Sequence, residues 1–298
     1  MAKRVLVSGG AGYIGSHVTV ELIAAGYDVV VADNMSNCDM TCFEGVKKIT
    51  GRDDIPFEQI DCCDAALVEK LFTDYKIDAV IHFAAFKAVG ESVAEPIMYY
   101  RNNLVSFLNI LESAKKHGGC NVLFSSSATV YGEAEVLPVT EQTPRMPATS
   151  PYGNTKQMCE DILRDVVLAT AGYDGTDGQG PVKGIALRYF NPIGNHESGL
   201  IGEDPNGIPN NLMPRIIDVA KRSMEKNQKD YFLNEQLKAI KKELGISSGD
   251  EEDIVMFTKQ NKELDAPEYV HERISREIRK LDAMSTNSSE CTTVRNYI

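Results

Sequence analysis

The chain has 298 residues, enough for one large or two modest domains with a substantial core. Its composition, 43% hydrophobic and 25% charged, is that of an ordinary globular protein, and a net charge of −12 argues against nucleic acid or an anionic membrane as the main partner. No apolar run reaches the length of a membrane span, and Met1-Ala2-Lys3-Arg4 leads straight into an apolar stretch with no room for a signal or transit peptide, so a cytoplasmic location is expected. The seven cysteines show no Cys-x-x-Cys spacing and the five histidines are scattered, which favours reduced structural thiols over a metal site.

Arg4-Val5-Leu6-Val7 reads as a buried strand and runs into Ser8-Gly9-Gly10-Ala11-Gly12-Tyr13-Ile14-Gly15. An apolar-periodic helix is predicted from Ser16 to Ala25, and a second strand from Asp28 to Ala32, ending at Asp33. Glycines at 9, 12 and 15 permit a tight turn, a close backbone approach to a pyrophosphate and close helix–strand packing. The N-terminus of the helix offers free N–H groups and a positive dipole end to phosphates. An acid about 20 residues after the turn can hydrogen-bond a ribose 2′-hydroxyl and repels a 2′-phosphate, so Asp33 favours NAD over NADP. A glycine-rich turn without a ligand is the plain alternative, but strand, turn, helix, strand and acid stand in register.

The alternation continues with a strand over Pro56 to Ile60, a helix over Ala65 to Tyr75 and a strand over Ala79 to Ala84. A long helix over Pro96 to His117 and a strand over Asn121 to Phe124 follow, then a helix from Pro151 and a strand over Gly184 to Phe190. This pattern implies an α/β fold, a Rossmann-like doubly wound parallel sheet with right-handed crossovers. Ligands of such sheets bind at the carboxyl ends of the strands. Those ends hold Gly9–Gly15, Asp33, Asp61, Phe83-Ala84-Ala85, Ser125-Ser126-Ser127 and Phe190-Asn191, which therefore converge on one crevice.

The helix from Pro151 has a proline suited to its first position and Ser150 suited to the cap. Tyr152 and Lys156 lie one turn apart on the same face. An opposite charge within about 4–6 Å favours a phenolate, which makes Tyr152 a candidate general base. Such pairs arise by chance in many helices; the upstream glycine fingerprint and the serine cluster give this one weight. Ser127 is placed to hydrogen-bond a substrate hydroxyl beside Tyr152, or is a serine in a polar turn. Lys87 either reaches a phosphate or ribose or is solvated, and His82, inside an apolar strand, reads as a core histidine.

With Gly-x-x-Gly-x-x-Gly, Ser127, Tyr152 and Lys156 in this order, the chain resembles the extended short-chain dehydrogenase/reductase family. The runs Gly9–His17, Lys87–Ser92, Phe124–Gly132, Arg188–Pro192 and Gly202–Pro214 are similar to the UDP-glucose 4-epimerase branch of that family, and the likeness covers residues 3 to about 216. The sister 4,6-dehydratases carry an Asp-Glu pair after the serine or threonine, where this chain has Ala128-Thr129. The resemblance implies that Gly9, Gly12, Tyr13, Ile14 and Gly15 surround the NAD pyrophosphate, that Asp33 and Asn34 hold the adenosine ribose, and that Asp61 and Cys62 flank the adenine. It implies cofactor contacts for Phe83, Ala84, Lys87, Asn102 and Phe190, with Lys156 on the nicotinamide ribose. It places Ser127 and Tyr152 against the sugar, with Asn191 and Asn211 on the phosphates and nearby groups of UDP-galactose or UDP-glucose. The implied reaction is epimerisation at C4 through a 4-keto sugar, with NAD staying bound and Tyr152 moving the hydroxyl proton.

After Pro214 the family's Gly-Thr-x-x-x-Arg-Asp segment and the rest of a substrate domain do not follow. The composition shifts too, since residues 217–298 hold only Gly245 and Gly249 of the 23 glycines. Leu233, Leu237, Ile240 and Leu244 fall on one helical stripe, Gly245 suits the stop, and a further helix is predicted from Pro267 with Ile274, Ile278 and Leu281. Asp250 to Asp253 reads as an acidic linker or the first turn of a helix. Residues 222–245 and 281–298 resemble part of the N-terminal region of Lon-type ATP-dependent proteases, without the ATPase or protease modules. The expected organisation is an NAD-binding domain over 1–190, the start of a truncated substrate domain over 191–216 and a helical segment over 217–298. The helical segment reads as an appendage or as a substrate-contacting or self-associating helix pair, and its apolar stripe needs either the sheet domain or another chain, as in a homodimer. Either an active epimerase or a fused or truncated product that binds NAD without clamping UDP fits this organisation. UDP binding discriminates the two.

Overall fold

The structure, a computed structural model, describes residues 2–174, 177–203, 212–243, 249–283, 293–294 and 296–298. They form two compact units, Met1–Asp218 and Val219–Ile298. In the first, the elements run β1 (Arg4–Ser8), α1 (Tyr13–Ala24), β2 (Asp28–Asp33), α2 (Met40–Thr50), β3 (Phe57–Gln59), α3 (Ala65–Asp74) and β4 (Ala79–His82). Then come α4 (Val89–Ala94), α5 (Pro96–Lys116), β5 (Asn121–Ser127), α6 (Pro151–Thr170) and β6 (Lys183–Tyr189). All strand pairs are parallel, in the order β3-β2-β1-β4-β5-β6. This is the Rossmann order, and it reverses between β1 and β4.

Both faces of the inner strands are covered, so their sequences are continuously apolar instead of alternating. Leu6, Val30, Val80, Val122 and Phe124 point into a core completed by Val68 and Leu71 of α3, Phe107 and Ile110 of α5, and Leu163 of α6. The intervening Val5, Val7, Val29 and Val31 pack on the opposite face with Val20 of α1 and with Phe43 and Val46 of α2. Burying one such side chain is worth about 1.5–3 kcal/mol, so the strand sequences themselves specify a two-sided sheet.

Helix α2 is a further element that sequence periodicity did not disclose. Its signals are local: the Asp39 carboxylate accepts from Thr41 N, and Gly51 stops the helix in the left-handed region at φ 66°. Strand β5 extends through Ser127, beyond the expected end at Phe124. Ser125, Ser126 and Ser127 pair with Leu187, Arg188 and Tyr189, so these polar residues continue the ladder where composition suggested a turn. Helix α1 begins at Tyr13, earlier than the predicted Ser16.

The sheet is not covered uniformly. Ile185 and Leu187 stand in register with Leu123 and Ser125 on the α1 and α2 side of the sheet, and are 62% and 40% exposed. On the opposite side Gly184 and Ala186 are exposed as well, but α6 comes close there: a Cβ at Gly184 would lie 2.7 Å from the Leu163 side chain.

The second unit is helical. α7 (Leu212–Glu243) leads into it, and α8 (Gly249–Glu263) and α9 (Glu268–Ala283) form a hairpin. The acidic run after Gly249 is thus the first turn of α8, where negative charge suits the helix dipole. Ile278 and Leu281 of α9 are buried as their spacing predicts, and Asn261 of α8 donates to His271 O at 3.3 Å and to Ser275 Oγ at 2.9 Å. In the predicted stripe Leu233 is exposed, while the side chains of Leu237 and Ile240, and residues 244–248, lie outside the described residues.

Candidate active site

The sites expected from sequence gather at the carboxyl edge of the sheet, around the reversal between β1 and β4. Gly9 turns the chain out of β1 at φ 74°, and a Cβ there would lie 2.7 Å from Ala84 N. At Gly15 a Cβ would lie 2.1 Å from Gly9 O. Both glycines are therefore required by the protein's own backbone. Gly12 differs. It caps α1 with an ordinary φ of −73°, and the nearest atom to a Cβ there would be Gly9 O at 3.4 Å. Nothing in the protein demands glycine at 12, and no side chain caps the helix it opens. An open approach to an uncapped helix N-terminus is what a pyrophosphate group fits.

Asp33, at the end of β2, is buried, and its two carboxylate oxygens accept from Ala11 N at 3.1 Å and Met35 N at 2.9 Å. Asn34 beside it is exposed and accepts from Ser36 N. Asp61 is exposed and accepts from Cys63 N at 2.8 Å, and Asn102 takes the Cys63 thiol on its backbone carbonyl. The Cys62 thiol does not face the crevice: it lies in the core, and burial pushes it up to about 12. Only the backbone at position 62 is left to contact a ligand.

After β4 the chain is held by its own main chain, with Phe83 N and Ala84 N donating to Ser8 O. Asn103 of α5 then pins the next stretch. Its side chain accepts from Phe86 N at 2.9 Å and donates to Phe86 O and to Thr155 Oγ1, each at 3.1 Å. Lys87, next in sequence, is exposed and pairs with Glu203 Oε1 at 3.3 Å. The Tyr13 hydroxyl donates to Gly194 O at 2.6 Å, and Ile201 is buried beside Phe43 and Val46. Residues 191–203 thus run from the end of β6 back toward the glycine turn. Phe190 and Asn191, at the start of this run, are exposed. Asn211 lies outside the described residues.

The catalytic candidates sit where β5 meets α6. Ser150 accepts from Gly153 N at 3.1 Å, and Pro151 opens α6, as expected from their residue types. Tyr152 is faced by Ser127 from β5, Tyr99 from α5 and Lys156 from the next turn. Burial raises the Tyr152 phenol and the Ser127 hydrogen bond lowers it, with burial winning. Burial lowers Lys156 to about 8. Its ammonium donates to Ser125 O at 2.7 Å and lies 4.8 Å from the Phe124 ring centre and 5.9 Å from that of Tyr152. Lys156 is thus anchored on the end of β5 with its ammonium beside the Tyr152 ring, and the Ser127 hydroxyl on the other element favours the phenolate.

His82 is a core residue. Its Nδ1 is 2.7 Å from Ser8 Oγ, its ring lies against Phe107 and Phe124, and burial pushes it down to about 3. Residues that sequence inspection missed, or in the case of Arg188 quoted only within the run Arg188–Pro192 without a role, are Asn103, Arg145, Glu160 and Arg188. The last three join β5, β6 and α6 through long-range ion pairs, with Arg188 Nη2 2.8 Å from Glu160 Oε2. Glu160 lies on α6, Arg188 on β6 and Arg145 in the loop before α6, so the only signal in the sequence was a charged residue within an element expected to pack, which needs a partner.

Residues 6–231 match the family model described as GDP-mannose 4,6 dehydratase. The chain is 52% identical over 216 residues to a UDP-glucose 4-epimerase of Pasteurella multocida (strain Pm70), covering 72% of this chain and 61% of that protein. It is 52% identical over 221 residues to the UDP-glucose 4-epimerase of Bacillus subtilis (strain 168), covering 74% of this chain and 62% of that one. Among solved structures, the UDP-glucose 4-epimerase from Bifidobacterium longum in complex with NAD+ and UDP is similar at a TM-score of 0.68 and 50% identity, over 73% of this chain and 62% of that one. The chain thus spans about three fifths of the length of these relatives.

Proposed function

The chain belongs to the GDP-mannose 4,6 dehydratase family, and on that premise we propose that it binds NAD and interconverts UDP-galactose and UDP-glucose as a 4-epimerase. The observation that carries this reading is the Tyr152 phenol beside the Ser127 hydroxyl, one turn above a buried Lys156. Dehydration needs an acid and a base near the hydroxyl that leaves. Ala128 and Thr129 provide no carboxylate after Ser127, so proton transfer at a single hydroxyl is the chemistry that these residues support.

NAD, when bound, would supply the redox capacity for oxidation at C4 and its reversal. Gly9, Gly12, Tyr13, Ile14 and Gly15 would hold its pyrophosphate, Asp33 and Asn34 its ribose, and Phe83, Ala84, Lys87, Asn102 and Phe190 its further parts. Tyr152 takes the proton of the sugar 4-hydroxyl and later returns it. Ser127 holds that hydroxyl in line and stabilises the phenolate. Lys156, fixed on Ser125 O, presents a positive charge to the ribose side of the site. Asn191 and Asn211 are assigned to the nucleotide-sugar phosphates. The test is interconversion of UDP-galactose and UDP-glucose by the purified chain with added NAD. Absence of turnover from a folded, NAD-loaded chain would overturn the reading.

One observation favours a second reading: about two fifths of each relative's length has no counterpart here. In that reading the chain binds NAD but does not clamp UDP, and calorimetry with UDP distinguishes the two. A division at 190 and 216 and a cytoplasmic location belong to the first reading. So does a homodimer, for which the exposed Ile97 and Leu108 of α5 and Leu168 of α6 offer apolar surface and sedimentation is the test. For the helical remainder, the Lon-type reading rests on the sequences of 222–245 and 281–298.

A further inference from the structure

Glu160 lies on α6 one turn beyond Lys156 and two beyond Tyr152, on the same face. Its side chain is only 8% exposed. One carboxylate oxygen accepts from Ser126 Oγ at 2.5 Å and from Arg188 Nε at 2.9 Å; the other takes Arg188 Nη2 at 2.8 Å and Arg145 Nη1 at 3.5 Å. Ser126 and Arg188 are register partners on β5 and β6, so one carboxylate grips two strands by their α6 side. The two-pronged Arg188 contact fixes direction as well as distance.

The grip extends into the loop that joins β5 to α6. The Arg188 guanidinium stacks 4.8 Å over the Tyr131 ring, and the Tyr131 hydroxyl donates to Thr140 O at 3.1 Å. Arg145 also donates to Asp161 at 2.6 Å and to Gln157 O at 3.2 Å, and Gln157 donates to Val130 O and Met146 O. One end of this loop is Ser127 and the other is Ser150, the cap just before Tyr152. Burial pushes the Glu160 carboxyl up, but its bonds to Arg188 and Ser126 and the two guanidinium charges hold it below the ordinary range.

From this geometry we infer that Glu160 is a positioning residue: by holding Ser126 of β5, Arg188 of β6 and, through Arg145, the connecting loop, it sets the distance between the Ser127 hydroxyl and the Tyr152 phenol. The inference rests on the reading of Tyr152 as the proton-transfer group. It acts through Ser127 and does not require Glu160 to touch substrate.

Two effects of removing the charge oppose each other. Loss of a nearby negative charge by itself makes a phenol easier to ionise. Loss of the Ser127 hydrogen bond makes it harder. The experiment is an ultraviolet difference titration of the Tyr152 phenol in the NAD-loaded chain, for wild type and E160Q, with Y152F subtracted as the reference. E160Q keeps an acceptor for Ser126. An upward shift in E160Q, partly reversed in E160D, is the expected result. No shift, or a downward shift from field loss alone, overturns the inference. If E160Q does not fold, E160Q/R188M, which leaves no unpaired guanidinium, takes its place. Where the chain turns over, E160Q is expected to lower kcat by about 10- to 100-fold with KM nearly unchanged, as a displaced reacting group does. The titration needs no turnover, so it stands even if the epimerase reading fails.

Discussion

Lys156 and Tyr152 share a face of α6, yet the lysine Nζ is bonded to Ser125 O at 2.7 Å while the tyrosine ring centre lies 5.9 Å away. The ammonium is anchored to the end of a strand and buried. Its proton is therefore held less tightly than in water, and it titrates near pH 8.

A stability prediction follows from that sign. The folded-state value of about 8 is below the ordinary 10.5, so between these values the unfolded chain binds more protons. Stability contributed at this residue therefore rises as pH increases from about 8 to 10.5. Charging the group in the fold costs about 3 kcal/mol at neutral pH, and the Ser125 bond returns about 1 kcal/mol. Lys156→Met is expected to stabilise the cofactor-free chain by about 2 kcal/mol at pH 7, with the gap closing toward high pH. Denaturant melts at both ends of the range check it.

Tyr152→Phe removes the hydroxyl beside Ser127 to which we assign proton transfer. Turnover is expected to fall at least 100-fold, on the order of general acid–base contributions, with NAD binding retained. Ser127→Ala leaves the phenol with burial and without the bond that lowers it. It is expected to move the ascending, acid-side limb of the pH–rate profile to higher pH and to reduce kcat about tenfold or more.

The glycine turn gives a paired prediction. Gly12→Ala meets no atom nearer than 3.4 Å and needs no unusual φ, so the fold should tolerate it while NAD affinity drops. Gly15→Ala puts a carbon 2.1 Å from Gly9 O and should lower the melting temperature whether or not NAD is present. Thermal scans with and without NAD separate a ligand-facing glycine from a structural one.

Asn103→Ala would leave Phe86 N and O without their side-chain partners and take an acceptor-linked amide away from Thr155. Orphaned buried groups cost about 1–3 kcal/mol each. The expected loss is about 3 kcal/mol, with weaker NAD binding because Lys87 follows Phe86 directly. Chemical denaturation and cofactor titration report the two parts.

The sheet was legible in the sequence because two-sided burial writes continuous apolar runs such as Val5-Leu6-Val7 and Val29-Val30-Val31. The glycine turn and Asp33 were legible because their chemistry is local. What escaped depends on distant partners. Helix α2 carries a narrow apolar face, and its Gly45 makes sense only against Leu200 O, 2.5 Å from where a Cβ would be. The extension of β5 through three serines is decided by pairing with β6. That Lys156 bends to Ser125 O, and that Glu160 gathers Ser126, Arg188 and Arg145, follows from packing of elements far apart in sequence.

The bare row of Ile185 and Leu187 on the last strand has a cost outside chemistry. An edge strand with apolar side chains is a template on which other chains add strands, and proteins usually guard such edges with charges. Of the two charged residues of β6, Lys183 stands in register on that side and Arg188 on the α6 side, where it pairs with Glu160. Strand β6 is therefore a place where a strand of another chain can add, and an intact crevice gives no protection there.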